Sequence, residues 1–208
     1  AGQPQQPSPW GFYIMIGLMI LVLWLFMWRP ESKRRKEMQK FREGLKKGDK
    51  VMLILKRHYE YWFAAVALHK LGAVMIPATH MLTVSDFEYR IKASGVKAVV
   101  CTAHDDVPEK IAAALKNQNA SAIMWTVQQD VDGCRNMTKE MENAPDTFDR
   151  VSTHVSDPMM LYFTSGTTGY PKGVIHDFSY PLAHIVTAKY WQQAEEGGLH
   201  FTVAETGW

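Results

Sequence analysis

Beyond residue 50, short apolar runs alternate with amphipathic segments. The runs have the length and composition of buried strands, and apolar residues between them recur at helical spacing. The predicted strands are 51–55, 73–76, 97–101, 122–127, 159–163, 174–176 and 199–203. The predicted helices are 58–71, 83–94, 107–116 and 179–193, the second opened by Thr83 and ended by Gly95. This alternation predicts an α/β fold with a mainly parallel sheet.

Three further segments carry weaker patterns. Residues 128–156 are polar with little periodicity, which predicts loops. Aromatic residues between 59 and 71 lie at helical spacing, and we expect them in the core rather than in a cofactor site. Residues 1–9 contain three prolines and no charged side chain, which is typical of a short disordered tip.

Residues 10–28 have no charged side chain and are rich in Leu, Ile, Met, Phe and Trp. As a helix they would span about 28 Å, close to the ~30 Å hydrocarbon core of a bilayer, with Trp10 and Trp28 at the two interfaces. A buried helix of a soluble protein would normally show a polar face. A signal peptide would have a charged N-terminal flank and a shorter apolar stretch. The pattern therefore predicts one transmembrane helix.

Residues 29–50 contain ten Lys and Arg against four Asp and Glu. By the positive-inside rule the N-terminus lies outside the membrane and the rest of the chain in the cytoplasm. This basic segment is predicted to form a juxtamembrane helix that contacts membrane lipid. Outside it, 13 Lys and Arg stand against 17 Asp and Glu, which argues against a nucleic-acid partner. Two widely separated cysteines fit a reducing compartment.

Residues 162–173 combine a predicted strand with a loop rich in glycine and hydroxyl groups. Glycines let the backbone turn so that successive N–H groups face one anion, and hydroxyls and a lysine add donors and charge. The sequence lacks the spacing of a Walker loop. A surface turn is the alternative, but the preceding strand and the following Pro-Lys-Gly favour a triphosphate site. The candidate phosphate-binding residues are Thr164, Ser165, Gly166, Thr167, Thr168, Gly169 and Lys172.

This loop resembles the signature loop of the AMP-forming acyl-CoA synthetases. Residues 51–101, 176–181 and 200–208 are also similar to that family, and the last two stretches look closest to its medium-chain branch. The resemblance implies that the loop holds the phosphates of ATP, with Mg²⁺, while a carboxylic acid is activated as acyl-AMP and passed to CoA. It also suggests His176 and Trp208 as candidates for a substrate pocket. No metal site made by the chain itself is predicted.

Several motifs of that family do not occur within these 208 residues. Among them are a Tyr-Gly-x-Thr-Glu element for adenine and magnesium, a later Tyr-x-x-Gly-Asp element for ribose, and the small C-terminal domain with its catalytic lysine. We therefore expect residues 51–208 to form an incomplete N-terminal AMP-binding domain that is inactive alone. Its principal catalytic residues would lie beyond Trp208.

Residues 1–50 resemble a different family, the YajC-type accessory subunit of the bacterial Sec translocon. The shared features are a Pro/Gln-rich tip, one span ending in Arg-Pro, a Lys-Arg-Arg-Lys-Glu run and a Lys-Lys-Gly-Asp turn. The join falls within residues 45–51 and is either a natural gene fusion or a product of recombination or sequence assembly. The resemblance implies a single-pass protein of the bacterial inner membrane, with Sec translocon components as candidate partners.

Two functions follow from these resemblances. The first is a membrane-tethered ATP-binding fragment of an acyl-CoA synthetase. The alternative is a non-catalytic translocon accessory protein with an incidental fused segment. The predicted organisation is a tip over 1–9, a transmembrane helix over 10–28, a basic helix and junction over 29–50, and an AMP-binding domain over 51–208.

Overall fold

A computed structural model describes Trp10, residues 13–16, Met19, residues 44–164 and 169–201, Ala204 and Glu205. The chain divides into two units, 1–45 and 46–208. The predicted membrane span over 10–28 and the basic segment after it lie largely outside the described residues. Among the residues that are described, no helix is both long enough and apolar enough to cross a membrane.

The second unit is an α/β fold with a mainly parallel sheet, as the sequence predicts. The strands are β1 (Lys50–Ile54), β2 (Val74–Pro77), β3 (Ala98–Cys101), β4 (Ile123–Thr126), β5 (Arg135–Asn136), β6 (Pro158–Thr164) and β7 (Lys172–Asp177). The helices are α1 (Glu60–Leu71), α2 (Val84–Ser94), α3 (Val107–Asn117), α4 (Met137–Glu142) and α5 (Tyr180–Tyr190). The strands are ordered β5-β4-β3-β1-β2-β6-β7, and among the described strands only the β6–β7 pair is antiparallel.

The core lies on both faces of β1, the middle strand. A strand covered on both sides needs an unbroken apolar run, and Val51 to Ile54 are all buried. The β1–β2 and β2–β3 connections run in opposite directions across the sheet, so right-handed crossovers place α1 and α2 on opposite faces. Helices α2 and α3 share one apolar cluster through Phe87 and Ile111, whereas α1 buries small residues against the other face.

The Lys-Lys-Gly-Asp turn belongs to the second unit and is bonded to its sheet. The Gly48 N–H donates to the Gly72 carbonyl at 2.8 Å, and the Val74 N–H donates to the Asp49 carbonyl at 2.8 Å. The Lys47 ammonium lies 2.7 Å from the Asp157 carboxylate, at the entrance to β6. The turn therefore connects the starts of β1, β2 and β6.

Two secondary-structure expectations are wrong. Residues 128–156 were expected to be loops, but they contain β5 and α4, which are held by distant partners: Thr138 Oγ1 donates to the buried Glu60 at 3.2 Å, and Trp125 Nε1 donates to Glu140 at 3.1 Å. The strand expected over 199–203 does not form over 199–201. There Leu199 and Phe201 are exposed and no neighbouring strand pairs with them in the described part of the chain.

The aromatic residues of α1 divide between the core and the surface. Tyr61 is buried beside Ala64 and Ala65, but Trp62 and Phe63 are more than half exposed. The expectation that these aromatic residues form core is therefore right for Tyr61 and wrong for its two neighbours. Tyr61 and Leu68 lie on the buried side of α1 with the two alanines, whereas Trp62 and Phe63 lie on its exposed side.

Candidate functional site

The glycine- and hydroxyl-rich loop connects β6 and β7, the one antiparallel pair of the sheet. Thr164 and Lys172 are cross-strand partners at the base of this connection, and Thr164 Oγ1 donates to the Lys172 carbonyl at 3.4 Å. Of the candidate phosphate-binding residues, Ser165, Gly166, Thr167 and Thr168 lie outside the described residues. Gly169 has φ +125°, a backbone conformation that other residues rarely adopt.

The loop lies at the carboxyl edge of the sheet. Strand β6 runs parallel to β2, with Met160 paired to Met75. Its last residue, Thr164, therefore lies at the same edge of the sheet as the carboxyl ends of β1, β2 and β3. The connections after β1 and β3 leave toward opposite faces. Ligands of open α/β sheets bind in the crevice that such a divergence creates. The fold therefore brings the loop to the usual ligand-binding edge of this class of sheet.

Lys172 supplies a positive charge at the base of the loop. Its side chain is exposed, and among the described residues no carboxylate lies within ion-pairing distance of its ammonium group. Thr164 is exposed as well. A cation without an internal partner, beside a hydroxyl and the backbone amides of a loop, can bind an anion from solution.

Helix α2 contacts the loop on its far side. The Tyr89 hydroxyl donates to the Pro171 carbonyl at 2.8 Å. Its ring stacks on Tyr170, with centroids 4.8 Å apart and planes 13° apart, and meets Phe163 edge-on at 6.2 Å. Sequence reasoning missed Tyr89, because nothing in the local pattern of α2 indicates a contact with a loop 82 residues later.

His176, the described candidate for the substrate pocket, lies on β7 in a row of rings. It contacts Tyr162 at 5.8 Å and Tyr180 at 4.2 Å, and Tyr180 contacts His184 at 4.4 Å. Burial, and then the neighbouring Tyr180, raise the pKa of Tyr162. His176 shares a face of β7 with Lys172 but is four residues, roughly 13 Å, along the strand. The other candidate, Trp208, lies outside the described residues.

A second polar group at the carboxyl edge surrounds Glu205. Its carboxylate is 2.7 Å from His80 Nδ1 and accepts from Thr79 Oγ1 at 2.8 Å. Burial raises the pKa of Glu205, but the hydrogen bonds from His80 and Thr79 outweigh it, so the net pKa is lowered. The other ring nitrogen of His80 is 3.9 Å from Asp105, which is paired with Lys56. Sequence reasoning missed this cluster.

Metal and thiol chemistry have little support among the described residues. No three His, Cys, Asp or Glu side chains there lie close enough together to hold a metal ion. Cys101 and Cys134 are free thiols, and burial is the main cause that raises the pKa of each. A raised pKa keeps a thiol protonated and unreactive at neutral pH.

Comparison with known proteins identifies the family. The model of the AMP-binding enzyme family matches residues 39–204. The chain belongs to the AMP-binding enzyme family. Mitochondrial acyl-coenzyme A synthetase ACSM5 of Homo sapiens is 32% identical over 166 residues, and ACSM3 of Mus musculus is 34% identical over 168. Each alignment covers 79% of this chain but only 28% of the relative, so the chain spans little more than a quarter of these synthetases.

Solved structures share the fold. An acyl-CoA synthetase of Brucella canis superposes with a TM-score of 0.70 at 22% identity, over 82% of this chain and 31% of that one. The anthranilate CoA ligase AuaEII, solved with anthranoyl-AMP, superposes with a TM-score of 0.63 at 23% identity, over 72% of this chain and 28% of its own.

The N-terminal part matches a second family. The model of the YajC preprotein translocase subunit matches residues 13–55. The two matches overlap over residues 39–55, which include the Lys-Lys-Gly-Asp turn and β1. The two matches are consistent with a chimera, in which the N-terminal part resembles the translocase subunit and the rest belongs to the AMP-binding enzyme family.

Proposed function

We propose that residues 46–208 bind the phosphates of MgATP through the connection between β6 and β7, as the ATP-binding part of an AMP-forming acyl-CoA synthetase. The observation that carries this proposal is the pairing of Thr164 with Lys172 at the carboxyl edge of the sheet, where the Lys172 side chain is exposed and has no carboxylate partner among the described residues. Membership of the AMP-binding enzyme family supports it.

The residues present fit a bound triphosphate. Gly169 supplies the positive φ that a turn around an anion requires, and Lys172 and Thr164 flank the loop at its base. ATP would bring Mg²⁺ with it, bound through its phosphates. We propose that the remaining loop hydroxyls and amides, from Ser165 to Thr168, complete the phosphate site.

The test is isothermal titration of the full chain in detergent with MgATP. Because a hydrogen bond to a charged group contributes about 1.5–3 kcal/mol, Lys172→Ala should weaken binding about tenfold or more, and Thr167→Val somewhat less. Lys116→Ala is the matched control: it removes the same charge from an exposed site in the last turn of α3, at the opposite edge of the sheet. Equal affinities for wild type and Lys172→Ala would refute the proposal.

We further propose that the acid activated by such a synthetase is a short- or medium-chain carboxylate, with CoA as the acceptor. The medium-chain-like segments of the sequence support the choice of acid, and the names of its relatives, which are acyl-coenzyme A synthetases, support CoA as the acceptor. These 208 residues alone should give no ATP–pyrophosphate exchange with octanoate or butyrate above a Lys172→Ala control. Positioning the acid against the α-phosphate can supply ~7–11 kcal/mol of the barrier, and the sequence contains only the phosphate site. Exchange well above that control would contradict the expectation.

We propose that residues 10–28 tether this unit to a bacterial inner membrane, with the N-terminus outside. The uncharged run, the ten basic residues behind it and the match to the YajC family support the tether. A charge at the bilayer centre costs roughly 2.5–3.5 kcal/mol on insertion scales, so Leu21→Arg with Leu23→Arg should move the chain from the membrane to the soluble fraction. The control variant, Leu21→Ile with Leu23→Ile, keeps the segment apolar and should leave the chain in the membrane fraction. Recovery of the wild type in the soluble fraction after low-salt lysis would contradict the tether.

The second candidate function is that of a translocon accessory protein, favoured by the match over residues 13–55. In that case Sec translocon components should co-purify with the full chain from membranes. The same components should co-purify equally well with the Lys172→Ala variant. They should not co-purify with the variant that carries both Leu21→Arg and Leu23→Arg. Nucleotide binding that depends on Lys172, without such co-purification, would favour the synthetase function instead.

A further inference from the structure

Two neighbouring residues of α2 hold both ends of the β6–β7 connection. Before the loop, the Arg90 guanidinium lies 5.5 Å from the centre of the Phe163 ring, and Tyr89 meets the same ring edge-on. After the loop, Tyr89 stacks on Tyr170 and its hydroxyl donates to Pro171. A single tyrosine therefore touches the residues on either side of the segment that we propose to bind phosphate.

The hydrogen bond to Pro171 acts directly on Lys172. The Pro171 carbonyl and the Lys172 N–H belong to one planar peptide unit, so an anchored carbonyl fixes the orientation of that unit. Proline also fixes φ near −65°, which leaves few other ways for the chain to enter β7. The Tyr89 hydroxyl therefore acts together with the pairing to Thr164 to orient the backbone from which the Lys172 side chain leaves.

Helix α2 is itself well fixed. Its first turn carries a capping box between Thr83 and Asp86, and Phe87 and Ile91 are buried in the apolar cluster. The Arg90 guanidinium also donates to the Asp86 carbonyl at 3.0 Å. Tyr89 thus projects from a rigid element, which is the condition for a side chain to position a loop.

We propose that Tyr89 is a positioning residue for the phosphate site: through its contacts with Tyr170 and Pro171 it orients the peptide that carries Lys172. This inference rests on the proposed function of the loop. The ligand class is a polyphosphate, so the effect should be seen with magnesium tripolyphosphate as well as with MgATP.

The experiment compares MgATP and magnesium tripolyphosphate binding to the full chain in detergent. Tyr89→Phe keeps the ring and removes one neutral hydrogen bond, so it should weaken both ligands about three- to tenfold. Tyr89→Ala also removes the stacking on Tyr170 and should weaken both further. Tyr190→Phe, which alters an exposed tyrosine at the end of α5, should bind as the wild type does.

A purely structural role for Tyr89 makes a different prediction. Thr83→Ala removes the N-cap of α2 without touching the loop, and provides a variant in which only the helix is weakened. The positioning role requires Tyr89→Phe to bind both ligands more weakly than the wild type. Thr83→Ala should bind them as the wild type does, even if it lowers thermal stability as much as Tyr89→Phe or more. If Thr83→Ala loses as much affinity as Tyr89→Phe, Tyr89 acts only through helix stability and the inference is overturned.

The remaining outcomes separate the two proposals. If Lys172→Ala weakens binding while Tyr89→Phe binds as the wild type does, the role of Tyr89 is refuted and the phosphate site stands. If neither variant changes the affinity, the loop is not the phosphate site, and the proposed function fails together with the inference.

Discussion

At the scale of single residues, the carboxyl edge of the sheet combines one exposed cation with one cluster of paired charges. Lys172 is exposed, and no carboxylate in the described part of the chain pairs with it, whereas Glu205 accepts hydrogen bonds from Thr79 and His80. The difference separates their roles. An unpaired cation is available for a ligand, whereas the paired carboxylate stabilises the structure by joining residues 204–205 to the loop after β2.

The Glu205 cluster predicts a pH-dependent contribution to stability. The pKa of Glu205 is lowered in the folded chain. The stabilisation that ionised Glu205 provides is therefore fully present above the ordinary glutamate pKa of 4.5 and is lost as the pH falls through the lowered pKa. Glu205→Gln should lower the free energy of unfolding by about 1 kcal/mol at pH 7 and by less at pH 4. Urea unfolding of both proteins at the two pH values measures this. The same difference at both values would show that the ionised form of Glu205 is not what the fold stabilises.

At the scale of elements, local signals predict most of the second unit. Thr83 and Gly95 mark the two ends of α2 in the sequence, and the structure places them at its N-cap and C-cap. Buried apolar runs predict β1 to β4 and β6 within one or two residues, because each is long enough to show its pattern locally. The order of the strands could not be read from these signals, since it depends on contacts between distant segments.

The capping box of α2 gives a direct test of this local reading. Thr83 Oγ1 accepts from the Asp86 N–H, and the Thr83 N–H donates to the Asp86 carboxylate at 3.0 Å. Thr83→Ala should lower the free energy of unfolding by about 1 kcal/mol. It should also raise the pKa of Asp86, which the Thr83 hydroxyl holds below its usual value. Thr147→Ala, at an exposed position after α4, is the control and should change neither.

The elements that sequence reasoning missed are those fixed by tertiary contacts. Helix α4 has six residues, too few to be stable alone, and its Thr138 and Glu140 bond to side chains of α1 and β4. The candidate site shows the same limit. Its loop could be predicted from composition, but its place in a hairpin and its contact with Tyr89 arise only when β6, β7 and α2 come together.

At the scale of the molecule, one region of the second unit is apolar and exposed. No residue of α5 is buried, and Leu182, Ile185 and Val186 are each about 60% exposed. Strand β7 is an edge strand with Ile175 exposed. Large exposed apolar surfaces and unpaired strand edges favour association with other polypeptide surfaces.

This surface predicts self-association. In a detergent that keeps the N-terminal segment dispersed, the chain should elute as oligomers that grow with concentration. Leu182→Lys with Ile185→Glu should reduce that growth, because it places charges on the apolar side of α5. Size-exclusion chromatography with light scattering measures the mass, and Lys189→Glu on the same helix controls for a change of charge alone. A concentration-independent monomer of the wild type would contradict the prediction.

The most direct test of the phosphate site is hydrogen–deuterium exchange of the full chain with and without saturating MgATP. The phosphate-binding role predicts that MgATP slows exchange in peptides spanning Thr164–Lys172. It also predicts that MgATP leaves the peptides of α3 and α4 unchanged, and that the protection disappears in Lys172→Ala at the same MgATP concentration. Two results would contradict the assignment of ATP to this loop. One is that MgATP slows exchange elsewhere in the chain but not over Thr164–Lys172. The other is that MgATP protects that segment equally in Lys172→Ala.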